Sequence, residues 1–168
     1  MALVTTIEDA LVAQLTAAFT VAGEARPWLK VESWPKRPEG YALSGAGDVL
    51  VIYKSGDYKP RATSSAFYDT GLEFEIVLRS KNLRGHQGAY DMLETAFRAT
   101  CGKRIPEAAG ITLAVRDGLS DYGEGVYTYV LVVKVPVVIV QDIEAPPGDW
   151  ITDSDYDAPL ARITFTRP

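Results

Sequence analysis

The sequence predicts an α+β fold, a mainly antiparallel four-stranded sheet with two helices packed on one side and an extended C-terminal arm. Three observations predict it. Two segments carry an apolar residue every third or fourth position, as amphipathic helices do. Four others alternate or run apolar at strand length. Their order is helix, two strands, helix, two strands, which suits helices layered on one face of an antiparallel sheet. The composition shifts after residue 140, dividing the chain into an α+β domain over 1–140 and an acidic, proline-containing arm over 141–168.

The first helix is expected over residues 5–20. Thr5 or Thr6 stands where a cap belongs, Glu8 and Asp9 suit the positive end of the helix dipole, and Ile7, Leu11, Leu15 and Phe19 form one stripe. Gly23 and Pro27 mark its end. The proline- and glycine-rich stretch that follows is read as loop, with Trp28, Val31 and Trp34 tacking it to the core and room for a short strand over 28–33. "DVLVIYKS" at 48–55 is a strand, and the polar "YKPRATSSA" is an exposed hairpin loop. In "FYDTGLEFEIVLRS", Leu72, Phe74, Ile76 and Leu78 alternate with Glu73, Glu75 and Arg79, so one face is wet.

The second helix is expected over about 86–100, with Tyr90, Leu93 and Phe97 facing the core, Met92 and Ala96 supporting, and Gly102 as the stop. "ITLAVRDGLSDYGEGVYTYVLVVKVPVVIV" supplies the last two strands around the "DYGEG" turn. The second of these is apolar on both faces, as a central strand or one covered by a neighbouring subunit would be. In the arm, Pro146, Pro147 and Pro159 prevent regular helix, while "ARITFT" at 161–166 alternates and could add a strand to a sheet edge.

Composition narrows the function. The 168 residues suit one domain, and a formal charge of −5 argues against a dedicated nucleic-acid or anionic-membrane binder. The opening residues lack a basic leader, and the most apolar run, 130–140, is too short for a helical membrane span and carries Lys134 and Pro136, so the chain reads as soluble. The single cysteine, Cys101, suits assembly in a reducing cytoplasm and excludes both an intrachain disulfide and a multi-cysteine zinc site.

No enzyme motif emerges. "LRSKNLRGHQGAYDMLETAFRA" passes from strand through Gly85 and Gly88 into a helix, as phosphate-cradling loops do. It has neither the Gly-Lys-Ser/Thr ending nor the dinucleotide-binding glycine pattern, so its glycines are read as shaping a corner. His86 is the sole histidine, and Cys101 lies at a helix end rather than on a nucleophile-bearing turn. Glu73 and Glu75 read as a solvated strand face. Asp153, Asp155 and Asp157 imitate the start of a calcium loop, but Ala158 replaces the required glycine and Phe165 the closing glutamate. No cofactor or metal is expected.

Charge asymmetry is the remaining signal. Arg79, Lys81, Arg84, Arg98, Lys103 and Arg104 face only Asp91 and Glu94 over 79–104, and Lys54, Lys59 and Arg61 face Asp57. The arm is acidic through Asp142, Glu144, Asp149, Asp153, Asp155 and Asp157. Either this is solvated monomer surface, or a basic face of one copy meets an acidic face of the next, as in a heterologous ring.

The opening "IEDALVAQLTAAF", then "DVLVIYKSGDY", "LEFEIVLRSKNLRGHQGAYDMLETAFRAT" and "YTYVLVVKVPVVI" together resemble the tail-terminator-like (tail completion) proteins of Mu-like and other contractile-tailed phages and prophages. The resemblance covers about residues 5–140. It implies a non-catalytic virion protein, assembled in the host bacterial cytoplasm, that forms a ring, usually of six copies. The ring caps the tail tube, ends tube and sheath polymerisation and offers the docking surface for the head-neck connector. The partners so implied are further copies of the chain, the tail tube protein, the sheath protein and the connector, with DNA only in transit and no membrane. On this reading Lys54, Lys59, Arg61, Arg79, Lys81, Arg84, Arg98, Asp153, Asp155 and Asp157 are the subunit or tube interface charges. A neck or baseplate adaptor of the same particle is the alternative, and a small hydrolase or nucleotide-binding enzyme using His86 the remote one.

Overall fold

The computed structural model describes residues 2–20, 29–35, 41–43, 45–61, 64–85 and 88–140. Helix α1 (Ala2–Thr20) and strand β1 (Leu29–Ser33) precede a long hairpin, β2 (Gly47–Arg61) and β3 (Ser64–Ser80). Helix α2 (Ala89–Thr100) then leads to a second hairpin, β4 (Leu113–Gly123) and β5 (Val126–Val140). The sheet order is β1-β2-β3-β5-β4. The fold class is α+β as expected, with both helices against one face, but the sheet has five strands and is mixed.

The fifth strand is β1, which pairs in parallel with β2 from Leu29 opposite Gly47 to Ser33 opposite Val51. Its five residues are too few to display a period, and a parallel partner lies beyond any hairpin signal. Just past it, the Trp34 N–H donates to the Val51 carbonyl at 2.7 Å, extending the attachment. Trp28, Gly23 and Pro27 lie outside the described residues.

The expected loop over 58–66 is also corrected. β2 continues to Arg61 and pairs with β3 beyond Tyr58, so the hairpin is a ribbon almost to its tip. Backbone groups make that ladder, and side-chain polarity does not stop it. β1 flanks β2 only as far as Val51, so among the described residues the outer edge of β2 has no partner where Pro60 stands.

α1 begins at Ala2, so Thr5 and Thr6 lie inside the helix rather than capping it, and Glu8 and Asp9 are beyond its first turn. Leu3 and Val4 pack against the core and account for the extra turn. The expected stripe holds: Ile7, Leu11, Leu15 and Phe19 are all buried. They meet Val49, Val51, Leu72, Phe74, Ile76, Leu78, Leu131, Val133 and Val135 of the sheet. Each such side chain contributes roughly 1.5–3 kcal/mol.

α2 starts at Ala89, and its orientation differs from the sequence expectation. Ala89, Met92, Ala96 and Thr100 face inward, whereas Tyr90 and Phe97 are exposed and Leu93 is half-buried. The small side chains let the helix axis approach β3 and β5 closely, and Met92 fills the space between. The Gln14 amide donates to the Ala99 carbonyl at 2.7 Å and ties α1 to α2. Gly102 ends this region with φ +73°, as expected of a helix stop.

β5 lies between β3 and β4, the central position that its two apolar faces suggest. Leu131, Val133, Val135 and Val137 enter the core, while Val132 is buried on the opposite face with Leu50 and Val77. Glu124 (φ 53°) and Gly125 (φ 76°) close the β4–β5 hairpin between paired Gly123 and Val126, the double left-handed geometry that matches strand twist.

The orientation of α2 predicts a contrast. Met92→Ala should lower the unfolding free energy by about 2–5 kcal/mol, and Phe97→Ser by less than about 1 kcal/mol. Urea denaturation of the two variants measures both, and reversed magnitudes would restore the expected face.

Candidate interaction surface

Among the described residues, the strand-to-helix corner turns its helix-start donors inward. Gly85 turns the chain at φ +91°, and Gly88 caps α2. An added Cβ at Gly88 would stand 2.7 Å from the Leu83 carbonyl oxygen and from Arg84 backbone atoms. The N–H groups of Gly88, Ala89 and Tyr90 donate to the carbonyls of Gly85, Asn82 and Leu83 at 2.9, 2.8 and 3.3 Å. These are three of the donors a phosphate would need, and the turn consumes them. His86 lies outside the described residues. Burial pushes the half-buried Cys101 thiol up, which makes it a poor nucleophile. Among the described residues, no three His, Cys, Asp or Glu side chains gather as a metal site, and no helix is long and apolar enough to cross a membrane.

The sequence-derived interface charges fall in different places. Arg79 forms a forked ion pair with Asp48, through Nε to Oδ1 at 2.8 Å and through Nη2 to Oδ2. Asp48 is fully buried, and Arg79 lies 5.0 Å from the Tyr41 ring centre. The hydrogen bonds to Asp48 raise the Arg79 pKa further, so this cation is held inside the protomer. Tyr41 in turn donates to Glu32 Oε1. Burial and that hydrogen bond push the Tyr41 hydroxyl up to about 12.

Across the face opposite the helices runs a chain of ion pairs. Lys54 meets Glu75 at 2.9 Å, with Arg116 at 3.9 Å from the same carboxylate oxygen. Lys59 meets Asp57 at 3.2 Å, and Lys134 reaches Asp57 at 3.6 Å and Glu73 at 4.0 Å. Gly71 makes room for this, because a Cβ there would stand 1.8 Å from Lys134 Cε. Glu73 and Glu75 thus organise bases from β2, β4 and β5 in addition to wetting the face. A cleft of about 450 Å³ between Lys54, Glu75, Arg116 and the β4 backbone lies here.

Lys81 and Arg84 are exposed at the corner before α2, and Arg98 pairs with Glu94 at 2.5 Å on the outward face of α2. Lys54 and Arg98 consequently lie on opposite sides of the sheet. The Arg61 side chain and Asp153, Asp155 and Asp157 lie outside the described residues, as does the arm, 141–168.

The surface that sequence reasoning missed is apolar. Tyr90, Leu93 and Phe97 of α2 line a depression of about 460 Å³ with Glu94, Arg98 and Asp117. Tyr90 meets Tyr129 edge-on at 5.7 Å, and Tyr122 stacks on Tyr127 at 4.5 Å. Hydrogen bonding within these pairs raises the hydroxyl pKa of Tyr127 and Tyr129. Beside them every residue of β4 is exposed, Leu113, Val115, Leu119 and Tyr122 included, and its outer edge has no partner strand among the described residues. An exposed edge of this length beside a row of aromatics is a candidate docking surface. The sequence signal was two interleaved stripes on α2, one small and one large, and only packing decides which turns inward.

The profile of the Gp37 protein family matches residues 21–158. No curated protein matches the chain in sequence. Among solved structures, the fold is similar to that of a chain in the virion of a native gene transfer agent particle. The match covers 79% of this chain and 94% of that one, with a TM-score of 0.50 and 15% identity.

Two outcomes follow from the Asp48–Arg79–Tyr41 cluster. Asp48→Ala leaves the Arg79 charge without its partner and should cost about 3 kcal/mol in urea denaturation. A pKa raised in the folded state means that stability is intact below the free tyrosine value and is lost above it. The unfolding free energy should therefore fall between about pH 10 and about pH 12. Tyr41→Phe should reduce that slope, as followed by denaturation midpoints across the same range.

Proposed function

The chain belongs to the Gp37 protein family, and from that premise we propose that it is a structural protein of a phage-like virion, forming a ring that caps the tail tube. One observation carries the reading: a fully exposed edge strand beside the exposed aromatic face of α2, a surface built to be covered. The likeness of fold to a virion chain supports it, as does the resemblance of the sequence to tail terminators. A catalytic reading finds little support. The backbone donors of Gly88, Ala89 and Tyr90 are engaged internally, Cys101 is disfavoured as a thiolate, and two of the clefts are lined by ion pairs or open apolar surface.

In this role the ring, of six copies, ends tube and sheath growth and presents a face to the head-neck connector. Copies meet through heterologous contacts, in which two different patches of the same chain join and the rotation closes. The exposed β4–α2 surface is one of these patches. The Lys54–Glu75–Arg116 and Lys134–Asp57–Glu73 pairs lie on the opposite face, where the hairpin ribbon of β2 and β3 extends toward a neighbour or the tube. Lys81 and Arg84, exposed at the corner, are better placed than Arg79 to meet an acidic neighbour.

Mass measurement in solution across concentrations, followed by imaging with isolated tail tubes, tests the proposal. A hexamer, or density on one tube end, is expected. A monomer that ignores tube ends would reject the terminator role and favour a neck or baseplate adaptor. Tyr90→Glu with Phe97→Glu should weaken assembly at least about tenfold, while the thermal midpoint of the protomer changes by no more than about 3 °C. Lys81→Glu with Arg84→Glu should weaken it less and make the remaining assembly less sensitive to salt.

A further inference from the structure

We propose that the outer edge of β4, unpaired among the described residues, is completed by residues 161–166, "ARITFT", of a second copy of the chain, as an added strand whose apolar face enters the depression beside α2. This rests on the ring reading above and names the segment that covers its exposed surface.

The receiving side has a defined geometry. Among the described residues β4 is paired with β5 on one edge only, and register shifts at Val115 and Ser120 interrupt that pairing. Between them an unbroken stretch remains, Arg116–Leu119, opposite Val132–Tyr129. The interruptions twist the edge and disfavour a long β4-to-β4 pairing between copies. A short segment fits the unbroken stretch better. On the helix side this stretch presents Asp117 beside Tyr90, Leu93 and Phe97. On the other side an added Cβ at Gly118 would meet nothing within 4 Å.

The donor segment matches in pattern and charge. In an extended chain Ala161, Ile163 and Phe165 share one face and Arg162, Thr164 and Thr166 the other. The first set supplies two large apolar side chains for the depression. The second places Arg162 on the side where Asp121 is exposed and Arg116 is drawn toward Glu75. Strand addition of this kind takes affinity from main-chain hydrogen bonds and selectivity from alternate side chains.

Reach and symmetry are compatible with exchange. Val140 ends β5 beyond the paired length of β4, because Leu113 already stands opposite Lys134. From Val140 back to the unbroken stretch is about 30 Å along the sheet. Residues 141–160 can span at most about 65 Å, enough to cross to a neighbouring subunit. The acidic residues of that tether, from Asp142 to Asp157, would pass the exposed Lys103 and Arg104 where α2 leads into β4. Edge and arm are different surfaces of the same chain, which is the requirement for a ring contact that closes.

The test uses two full-length variants in a Cys101→Ser background, one with Gly118→Cys and the other with Thr164→Cys, mixed and oxidised. Both positions lie on the side away from α2. Because each variant has one cysteine, a disulfide-linked dimer found only in the mixture reports contact between copies. Expected is that dimer, together with at least about tenfold weaker assembly for Ile163→Glu with Phe165→Glu. Light scattering separates the two ideas. Assembly without a mixture-specific dimer would overturn the strand exchange and leave the ring standing. Absence of both assembly and cross-link would overturn both. A cross-link that appears only when Gly118→Cys and Thr164→Cys share one chain would assign the segment to its own edge and likewise overturn exchange.

Discussion

The close approach of α2 to β3 and β5 is the constraint on which the remaining surface depends. Ala89, Ala96 and Thr100 bring the helix onto the sheet, and Met92 fills the gap. Once the small face is inward, the larger residues of the same helix have nowhere to go but outward. Tyr90, Leu93 and Phe97 then stand beside β4, and Tyr90 rests on Tyr129. A helix with its bulky stripe turned to the core would sit farther from the sheet and leave no such row. The proposed docking surface is thus a consequence of core packing, and a change at Ala96 would reach it without touching it.

The two faces of the sheet answer to different physics. Against the helices, alternating strand residues and the α1 stripe bury apolar area, which supplies most of the stabilisation. On the other face, Leu50, Val77 and Val132 are buried beside a run of ion pairs. Most of these pairs are partly exposed and contribute little individually, roughly 0–1 kcal/mol. They nevertheless neutralise the bases of β2, β4 and β5 within one protomer. Asp48 with Arg79 is different in kind, because the carboxylate is fully buried and the guanidinium grips it with two bonds.

In the ring role proposed above, such an apolar surface has to be kept from pairing indiscriminately before it is covered. The interruptions at Val115 and Ser120 serve that end, because a twisted edge is a poor template for long strand pairing. Asp117 at the edge of the aromatic row and the Arg98–Glu94 pair on α2 act in the same direction. Charge beside an apolar row favours partners of matching pattern over collapse onto any hydrophobic surface.

The sequence by itself determined the α+β class, both helices, the stripe of Ile7, Leu11, Leu15 and Phe19, the wet and dry faces of β3, and the two apolar faces of β5. These follow from local periodicity, which burial against any single layer reproduces. By motif it also read the Gly85–Gly88 stretch as a shaped corner, and the N–H groups of Gly88, Ala89 and Tyr90 are bonded within that turn. Only the tertiary structure decided that β1 pairs in parallel with β2, that the β2–β3 ribbon continues through Pro60, that Arg79 belongs to Asp48, and which stripe of α2 faces out. Each of these depends on a partner distant in sequence or on the distance between two packed layers. A pattern of apolar residues shows that a face will be buried, and the volume available against the sheet decides which face it is.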